Sequence, residues 1–378
     1  MRRLVMALGV GVHAVIAGCS EATFPAIESG ADGAELQRLV DSTVATLRLP
    51  GAVVAVRVNG GSDYLLTSGV ENLSSKSAMP FGNRFRVGSI TKTMVATIAL
   101  QLVGEGSIAL TDSIARWLPG VVPNANRITL RMLLNNTSGV PDYIQDPAFQ
   151  AALIANPGRT VTTAETLAAA NRQTRKFEPG AVGRWEYSNT NYVLLGLVAK
   201  KAGSASYSAL LRRLVLEPLA LRGTFVAGED SIVAARAHSH VDINGDGKAD
   251  DLSALVPDPA MTRGAGGAGA IVATAIDVAM FARAYFTGTL VSDSLHQAAT
   301  RWRDRGDNRL YGFGTIAWPV GADTLLGHMG NTAGQSAGVW HSKAAGITAV
   351  ILSNVHGVPM SAAVQRLLTE AEKIRGAR

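Results

Sequence analysis

The chain has 378 residues, a length typical of about two domains of ordinary size. Apolar residues make up 47% and charged residues 17%, with 40 glycines and 14 prolines, which excludes collagen-like, coiled-coil and wholly disordered chains. The formal charge is +6, but lysines and arginines are scattered among acids and apolar runs and form no cluster in the sequence that would bind phosphate groups. We therefore expect no nucleic-acid partner.

The first eighteen residues predict an export signal. Arg2 and Arg3 give a positive start, and a run of fourteen mostly apolar residues follows from Leu4 to Ala17. A bilayer takes about 20 residues, so this run suits the core of a signal peptide instead. The single cysteine, Cys19, follows small residues and resembles the lipid-bearing cysteine of bacterial lipoproteins. We expect a signal peptide at 1–18 and an exported protein anchored through lipid on Cys19 at the periplasmic face of a membrane or the cell surface.

The predicted elements divide the rest of the chain into two strand-rich ends and a helix-biased middle. After a tether at 19–33, the apolar spacing predicts a helix over 34–47, and a hairpin is predicted around Asn59-Gly60-Gly61. Further strands are predicted at 52–58, 63–67, 311–317, 324–327, 337–341 and 346–353, followed by a last helix. The simplest packing is an α+β fold. In it, 34–80 plus 265–378 form an antiparallel sheet domain flanked by the N- and C-terminal helices, and 81–264 form an inserted, mainly helical lobe.

Ser89-Ile90-Thr91-Lys92 opens a predicted helix and is the chain's single Ser-x-x-Lys. The spacing i, i+3 places the serine hydroxyl and the lysine amine on one side of the first turn. A serine hydroxyl is a weak nucleophile until a neighbouring base takes its proton. Burial and a helix N-terminus both disfavour the lysine cation, so Lys92 could be that base. A capping serine followed by a surface lysine is the alternative for this pattern alone.

Two more triplets carry compatible chemistry. Tyr187-Ser188-Asn189 is the single Tyr-x-Asn, and its phenol can relay a proton while its amide can hydrogen-bond a substrate carbonyl and a lysine amine. His328-Met329-Gly330 is the single His-x-Gly, at the edge of a predicted strand. There a cation or donor would face the substrate, and glycine would let the substrate backbone lie close.

In this order and with these gaps, the three triplets resemble the serine β-lactamase and D-alanyl-D-alanine peptidase superfamily. The resemblance is nearest to class C β-lactamases, D,D-carboxypeptidases and related esterases. It covers about residue 34 to the last helix, and the stretches 133–141 and 268–274 agree with it. It implies a β-lactamase/transpeptidase-like fold. By position, Ser89 would form an acyl-enzyme with Lys92 as its base, and Tyr187 would pass the proton to the leaving atom. Asn189 would orient the substrate and Lys92.

The third triplet departs from the family pattern. His328 stands where many relatives have lysine. The resemblance also implies that the backbone N–H groups of Ser89 and Asn331 form the oxyanion hole. Met329 replaces the usual hydroxyl that helps hold a substrate carboxylate, and it cannot donate a hydrogen bond, although Asn331 can. We expect a substrate beside Met329 and Gly330 that is a small peptide, ester or β-lactam.

Several activities stay open at this point. The first expectation is a D,D-carboxypeptidase or peptidase-like serine hydrolase acting on D-amino-acid peptides. The alternatives are an esterase or amidase, a class C-type β-lactamase, or an inactive penicillin-binding-like lipoprotein. The Gly-x-Ser-x-Gly match at 334–338 and the Gly-x-Gly-x-x-Gly match at 264–269 lack the elements that a hydrolase elbow or a dinucleotide site requires.

No cofactor is expected for catalysis, but one loop has the spacing of a calcium site. Oxygen ligands at positions 1, 3, 5 and 9 and glycine at position 6 match a calcium loop, although the bidentate glutamate of a full EF-hand is missing. The candidate ligands are Asp242, Asn244, Asp246, Lys248 and Asp250. A solvated acidic turn is the alternative.

Overall fold

A computed structural model describes residues 31–60, 63–232, 235–253 and 264–376. The predicted signal peptide, Cys19 and residues 19–30 of the predicted tether lie outside these ranges. Within them, no helix is both long enough and apolar enough to cross a membrane. The helices are α1 Ala31–Thr46, α2 Thr91–Gly104, α3 Ile114–Trp117, α4 Leu130–Leu134, α5 Pro147–Ala155, α6 Thr163–Asn171, α7 Asn189–Ala202, α8 Tyr207–Leu211, α9 Ala275–Phe286, α10 Asp293–Ala299 and α11 Met360–Gly376.

The main sheet combines strands from both ends of the chain. The strands are β1 Gly51–Val58, β2 Asp63–Gly69, β3 Phe85–Arg86, β4 Phe225–Val226, β5 His240–Val241, β6 Asp250–Asp251, β7 Ile271–Ala273, β8 Arg303–Asp304, β9 Leu310–Tyr311, β10 Ile316–Val320, β11 Asp323–Thr332, β12 Gln335–Ser342 and β13 Ile347–Ser353. Among the described residues, eight of them form an antiparallel sheet in the order β2-β1-β13-β12-β11-β10-β9-β8. Val54 of β1 pairs with Ile351 of β13, which joins the two ends.

Helices cover both faces of this sheet. On one face, Leu36 of α1 and Val364 of α11 share a core with Val54, because alternate strand residues point to the same side. On the other face, α9 and α2 pack over Val53 and Val350, and α2 is buried along nearly its whole length. The α+β fold class is therefore confirmed: an antiparallel sheet lies between terminal helices and a helical region.

One predicted strand is wrong in its bounds. The strand expected at 311–317 is interrupted, and pairing resumes only at β10. The Gly312 nitrogen donates to the Thr315 carbonyl, and Gly314 has φ +66°, a conformation that favours glycine. A Cβ at Gly314 would lie 2.6 Å from the Lys92 carbonyl oxygen, and Thr93 donates to the Gly314 carbonyl at 2.6 Å. The chain bends there because it packs directly against the first turn of α2.

Candidate active site

Ser89 lies in a tight 3₁₀ turn, Gly88–Ile90, which connects β3 to the N-terminus of α2. The turn approaches β11 very closely. A Cβ at Gly88, whose φ is +52°, would lie 2.9 Å from the Asn331 nitrogen, and a Cβ at Gly330 would lie 2.0 Å from the Val87 carbonyl oxygen and 3.2 Å from the Ser89 nitrogen. Two glycines therefore bring the backbone nitrogens of Ser89 and Asn331 to one junction. These are the groups predicted to form the oxyanion hole.

Lys92 is fully buried directly behind Ser89. Its Nζ lies 2.8 Å from Ser89 Oγ, 2.7 Å from Asn189 Oδ1 and 2.9 Å from the Ala268 carbonyl oxygen. Burial lowers the pKa of Lys92 to about 7, and the Asp142 carboxylate opposes that shift. A large fraction of the amine is therefore neutral near pH 7.

The three contacts of Lys92 define how a neutral amine would be oriented. A neutral amine has two N–H groups and one lone pair. The oxygens of Asn189 and Ala268 are acceptors only, so they take both N–H groups. The lone pair then faces the Ser89 hydroxyl, which is the arrangement that a general base requires.

Tyr187 contacts the same serine. Its hydroxyl donates to Ser89 Oγ at 3.0 Å. Burial raises the pKa of Tyr187 well above its ordinary value, so the group is a phenol and not a phenolate at neutral pH. The ring is held in an aromatic cluster with Trp185, Tyr311 and His328, at centroid distances of 6.5, 6.1 and 6.3 Å. The structure thus brings Ser89, Lys92 and Tyr187 into one hydrogen-bonded group, as the motifs predicted.

Asp142 is a functional candidate that the sequence analysis missed. Its Oδ2 accepts a hydrogen bond of 2.8 Å from Asn189 Nδ2, which fixes the amide so that Oδ1 faces Lys92. Burial raises the pKa of Asp142, while the Ile144 and Asn189 N–H donors and the Lys92 cation oppose that rise. In the sequence, Asp142 directly follows the stretch 133–141 that supported the resemblance to the family. This position was the signal that could have identified Asp142 as a site residue.

The Ala268 carbonyl was also missed. It belongs to the glycine-rich stretch 264–269, which forms a 3₁₀ turn and no nucleotide loop. A Cβ at Gly267 would lie 2.4 Å from the Tyr192 carbonyl oxygen of α7, so glycine is needed for the turn to pack there. This packing presents the Ala268 oxygen to Lys92. Ser336 of the Gly-x-Ser-x-Gly match is buried within β12 and bonds Asn331 Oδ1 at 3.0 Å, without the strand–turn–helix of an elbow.

His328 faces the same cavity as Ser89 from β11. Burial lowers the pKa of His328 to about 3, and the nearby Lys92 and Arg305 cations act in the same direction. Its Nδ1 donates to the Met329 carbonyl at 2.6 Å. Neither role expected for this position, a cation or a hydrogen-bond donor to the substrate, fits this environment. Burial keeps the ring neutral at neutral pH, and its single N–H, on Nδ1, already donates to Met329, which leaves Nε2 as an acceptor.

A cavity of about 640 Å³ opens at Ser89. The candidate residues that line it are Ser89, Tyr187, Asn189, His328, Met329 and Asn331. Met329 borders the cavity while its sulfur contacts the Ser361 hydroxyl of α11. The cavity can therefore hold a substrate carbonyl against the serine and the two backbone nitrogens at the glycine junction.

The candidate ligands of the predicted calcium loop, Asp242, Asn244, Asp246, Lys248 and Asp250, are all exposed, and none of them lines the cavity at Ser89. Asp242 accepts backbone hydrogen bonds from Gly245 and Gly247, and Asp250 accepts one from Ile243. Among the described residues, no group of three or more His, Cys, Asp or Glu side chains is arranged to hold a metal ion. Calcium binding at 242–250 stays a prediction.

The fold and the Ser89 group define a serine hydrolase of the β-lactamase and penicillin-binding-protein fold. The family model described as Beta-lactamase matches residues 36–372, and the chain belongs to that family. Penicillin-binding protein 4 of Amycolatopsis lactamdurans is 28% identical over 341 residues, which are 85% of each chain. Esterase EstB of Burkholderia gladioli is 29% identical over 223 residues, which are 56% of each chain.

Two solved structures share nearly the whole fold. The crystal structure of D-stereospecific amidohydrolase from Streptomyces sp. has 31% sequence identity and a TM-score of 0.76, covering 90% of this chain and 98% of that one. The D-amino acid amidase from Ochrobactrum anthropi SV3, complexed with D-phenylalanine, has 25% identity and a TM-score of 0.79, covering 92% and 100%. The names of these relatives describe a penicillin-binding protein, an esterase, an amidohydrolase and an amidase.

Proposed function

We propose that this protein hydrolyses amide bonds on the carbonyl side of D-amino acids, through an acyl-enzyme on Ser89. The observation that supports hydrolysis is the contact of Ser89 Oγ with both Lys92 Nζ, at 2.8 Å, and Tyr187 Oη, at 3.0 Å. The choice of D-amino-acid amides rests on the likeness to the amidohydrolase and the amidase. It narrows the wider expectation of a peptidase acting on D-amino-acid peptides.

The proposed reaction has two halves. Neutral Lys92 takes the Ser89 proton as Oγ attacks the carbonyl carbon, and the developing oxyanion is bound by the backbone N–H groups of Ser89 and Asn331. Tyr187 gives its proton to the leaving nitrogen, the C–N bond breaks, and Lys92 returns a proton to Tyr187. Water then attacks the acyl carbon, its proton passes through Lys92 and Tyr187 to Ser89 Oγ, and the C–Oγ bond breaks to release the acid and the free serine.

Ester hydrolysis is the second candidate, because of Met329. A carboxylate-bearing peptide or β-lactam would lose a hydroxyl donor at that position, whereas an ester with a neutral acyl group would not. Esterase EstB is among the relatives. D,D-carboxypeptidase and β-lactamase activities rank below amidase and esterase activity for the same reason.

The test is a hydrolysis panel on purified protein. It compares D- and L-phenylalanine p-nitroanilides, N-acetyl-D-phenylalanine p-nitroanilide, a D-Ala-D-Ala peptide, a chromogenic cephalosporin and p-nitrophenyl esters. We expect turnover of a D-anilide and none of its L-isomer, and a loss of at least about 10³-fold in Ser89→Ala. Ser294→Ala, an exposed serine in α10, is the matched control. No turnover and no Ser89-dependent fluorophosphonate adduct would instead support an inactive binding protein.

We also propose that the protein is exported and anchored through lipid on Cys19. The support is the charged start, the short apolar run and the small residues before the cysteine. Radiolabelled palmitate should enter the wild-type protein, and globomycin should cause the precursor to accumulate. Equal labelling of Cys19→Ser would refute the assignment.

A further inference from the structure

Tyr187 lies on a stretch of chain without regular secondary structure. Residues 184–188 belong to no helix or strand, and α7 begins only at Asn189. On such a stretch no helical or sheet hydrogen bonds fix the backbone, so its N–H and C=O groups depend on other partners. The position of this backbone decides whether the phenol hydroxyl reaches Ser89 Oγ, which lies 3.0 Å away.

One residue, Asn136, holds the backbone on both sides of Tyr187. The Glu186 N–H donates to the Asn136 carbonyl oxygen at 3.2 Å. The Ser188 N–H donates to Asn136 Oδ1 at 3.3 Å. Because Glu186 and Ser188 are the immediate neighbours of Tyr187, one main-chain and one side-chain acceptor of the same residue enclose the tyrosine.

Asn136 is itself held in the core. It is fully buried, and its Oδ1 also accepts a hydrogen bond of 2.7 Å from Asn191 Nδ2. Asn191 Oδ1 accepts in turn from the buried Ser138 hydroxyl at 2.6 Å. Since Asn191 belongs to the first turn of α7, the same amide oxygen links the Tyr187 stretch to the helix that begins at Asn189.

The backbone conformation explains why an asparagine suits this position. Its φ is +60°, in the left-handed region that glycine and asparagine adopt more readily than most residues. A glycine could turn the chain in the same way, but it has no oxygen to accept the Ser188 N–H. The neutral amide supplies that acceptor without burying a charge.

We infer that Asn136 is a positioning residue for Tyr187, which keeps the phenol hydroxyl against Ser89 Oγ and within reach of the leaving atom. Asn136 does not line the cavity at Ser89, so its effect on the reaction is indirect. The inference rests on the proposed amide hydrolysis, in which Tyr187 gives its proton to the leaving nitrogen. A displaced phenol should therefore slow the loss of leaving groups that need a proton and spare those that do not.

The experiment compares three substrates with one acyl group, N-acetyl-D-phenylalanine: the p-nitroanilide, the ethyl ester and the p-nitrophenyl ester. Of the three leaving groups, p-nitrophenolate alone departs readily without a proton. Asn136→Gly keeps the left-handed conformation and the main-chain carbonyl and removes the Oδ1 contacts. We expect it to lower the anilide-to-p-nitrophenyl-ester ratio of kcat/KM about 10- to 100-fold, because small displacements of a catalytic group are costly.

The ratio is taken on one preparation, so it does not depend on the fraction of the protein that is folded. Asn136→Ala removes the same side-chain contacts, and a folding defect in one variant, seen by circular dichroism, leaves the other informative. Asn124→Gly is the matched control. Asn124 has the same left-handed backbone, with φ +59°, but it is exposed and does not line the cavity, so the ratio should be unchanged.

A double-mutant cycle tests whether Asn136 acts through the phenol. In a Tyr187→Phe background the proton donor is already gone, so adding Asn136→Gly should leave the ratio unchanged. A fall in the ratio that persists in full in this background would overturn the inference. Equal losses on the anilide and the p-nitrophenyl ester in Asn136→Gly would also overturn it, because they would show a structural role alone.

These outcomes leave amide hydrolysis intact. A wild-type protein that cleaves both esters but not the anilide would instead overturn amide hydrolysis alone. The ratio of ethyl to p-nitrophenyl ester would then test Asn136 in the same way, since an alkoxide also needs a proton to leave. Absence of turnover with all three substrates, together with no Ser89 adduct, would overturn the proposed function and the inference together.

Discussion

Lys92 and Asp142 are joined through one amide group. Asn189 offers its oxygen to the Lys92 amine at 2.7 Å and its nitrogen to the Asp142 carboxylate at 2.8 Å. The carboxylate therefore acts on the lysine in two ways: it fixes the amide orientation, and its charge favours the lysine cation. Burial opposes that charge and has the larger effect, which leaves the pKa of Lys92 at about 7.

This relationship predicts the acid side of the pH–rate profile. Below a pKa of about 7 the amine is protonated and cannot accept the Ser89 proton, so kcat/KM should rise about tenfold per pH unit and level off above pH 7. Asp142→Asn removes a charge that raises the pKa of Lys92, so the rising limb should move to lower pH. The measurement is kcat/KM on an anilide from pH 5 to 9.

Asp293→Asn serves as the control for that shift, since Asp293 is exposed at the start of α10. A limb that stays in place in Asp142→Asn, or moves to higher pH, would show that the carboxylate does not act on Lys92 through its charge.

Tyr187→Phe should separate amides from activated esters. The phenol is positioned to protonate the leaving atom, and an amide nitrogen needs that proton, whereas p-nitrophenolate leaves without it. We expect a loss of about 10²- to 10⁴-fold on anilides and a much smaller loss on p-nitrophenyl esters. Tyr207→Phe is the control, because the buried Tyr207 hydroxyl has no hydrogen-bond partner among the described residues. Equal losses on both substrates would contradict the role.

His328 should not contribute a descending limb near its ordinary pKa. Because burial holds that pKa at about 3, the ring stays neutral from pH 5 to 9, and kcat/KM should not fall between pH 6 and 8 on its account. His328→Gln should change the height of the profile and not its shape. A limb near pH 6.5 that disappears in this variant would show that the imidazole is charged after all.

Met329→Thr should restore recognition of carboxylates. A hydroxyl at this position could donate to a substrate carboxylate, a bond worth about 1.5–3 kcal/mol, so kcat/KM for a D-Ala-D-Ala peptide should rise about tenfold or more relative to a neutral ester. Met329→Val has the shape of threonine without the donor and should not show the gain. If both variants change the two substrates alike, the hydroxyl has no such function here.

The sequence predicted the fold class from the order of its elements and from the family resemblance. The i, i+3 spacing predicted that Ser89 and Lys92 lie together, and the resemblance predicted that Tyr187 and Asn189 join them. It did not predict Asp142 or the Ala268 carbonyl. A single aspartate in a loop has no local pattern, and a backbone oxygen has no side chain to recognise. The Ala268 carbonyl contacts Lys92 directly and Asp142 is connected to it through Asn189, and both arrangements form only when α7 and the turn at 266–268 pack around Lys92.

Other differences have the same origin in packing. The neutral state of His328 depends on how deeply β11 is buried, which its immediate neighbours in the chain do not encode. The strand expected at 311–317 has strand-forming residues, but Gly314 turns the chain so that it can contact α2. In both places, long-range contacts overrode a reasonable local expectation.

The groups that surround Ser89 Oγ come from positions far apart along the chain: Lys92, Tyr187, Asn189 and the oxygen of Ala268. A partly folded chain therefore has an ordinary alcohol at position 89, and reactivity arises only with the native tertiary structure. Covalent labelling of this serine would consequently report whether the chain has reached its native tertiary structure.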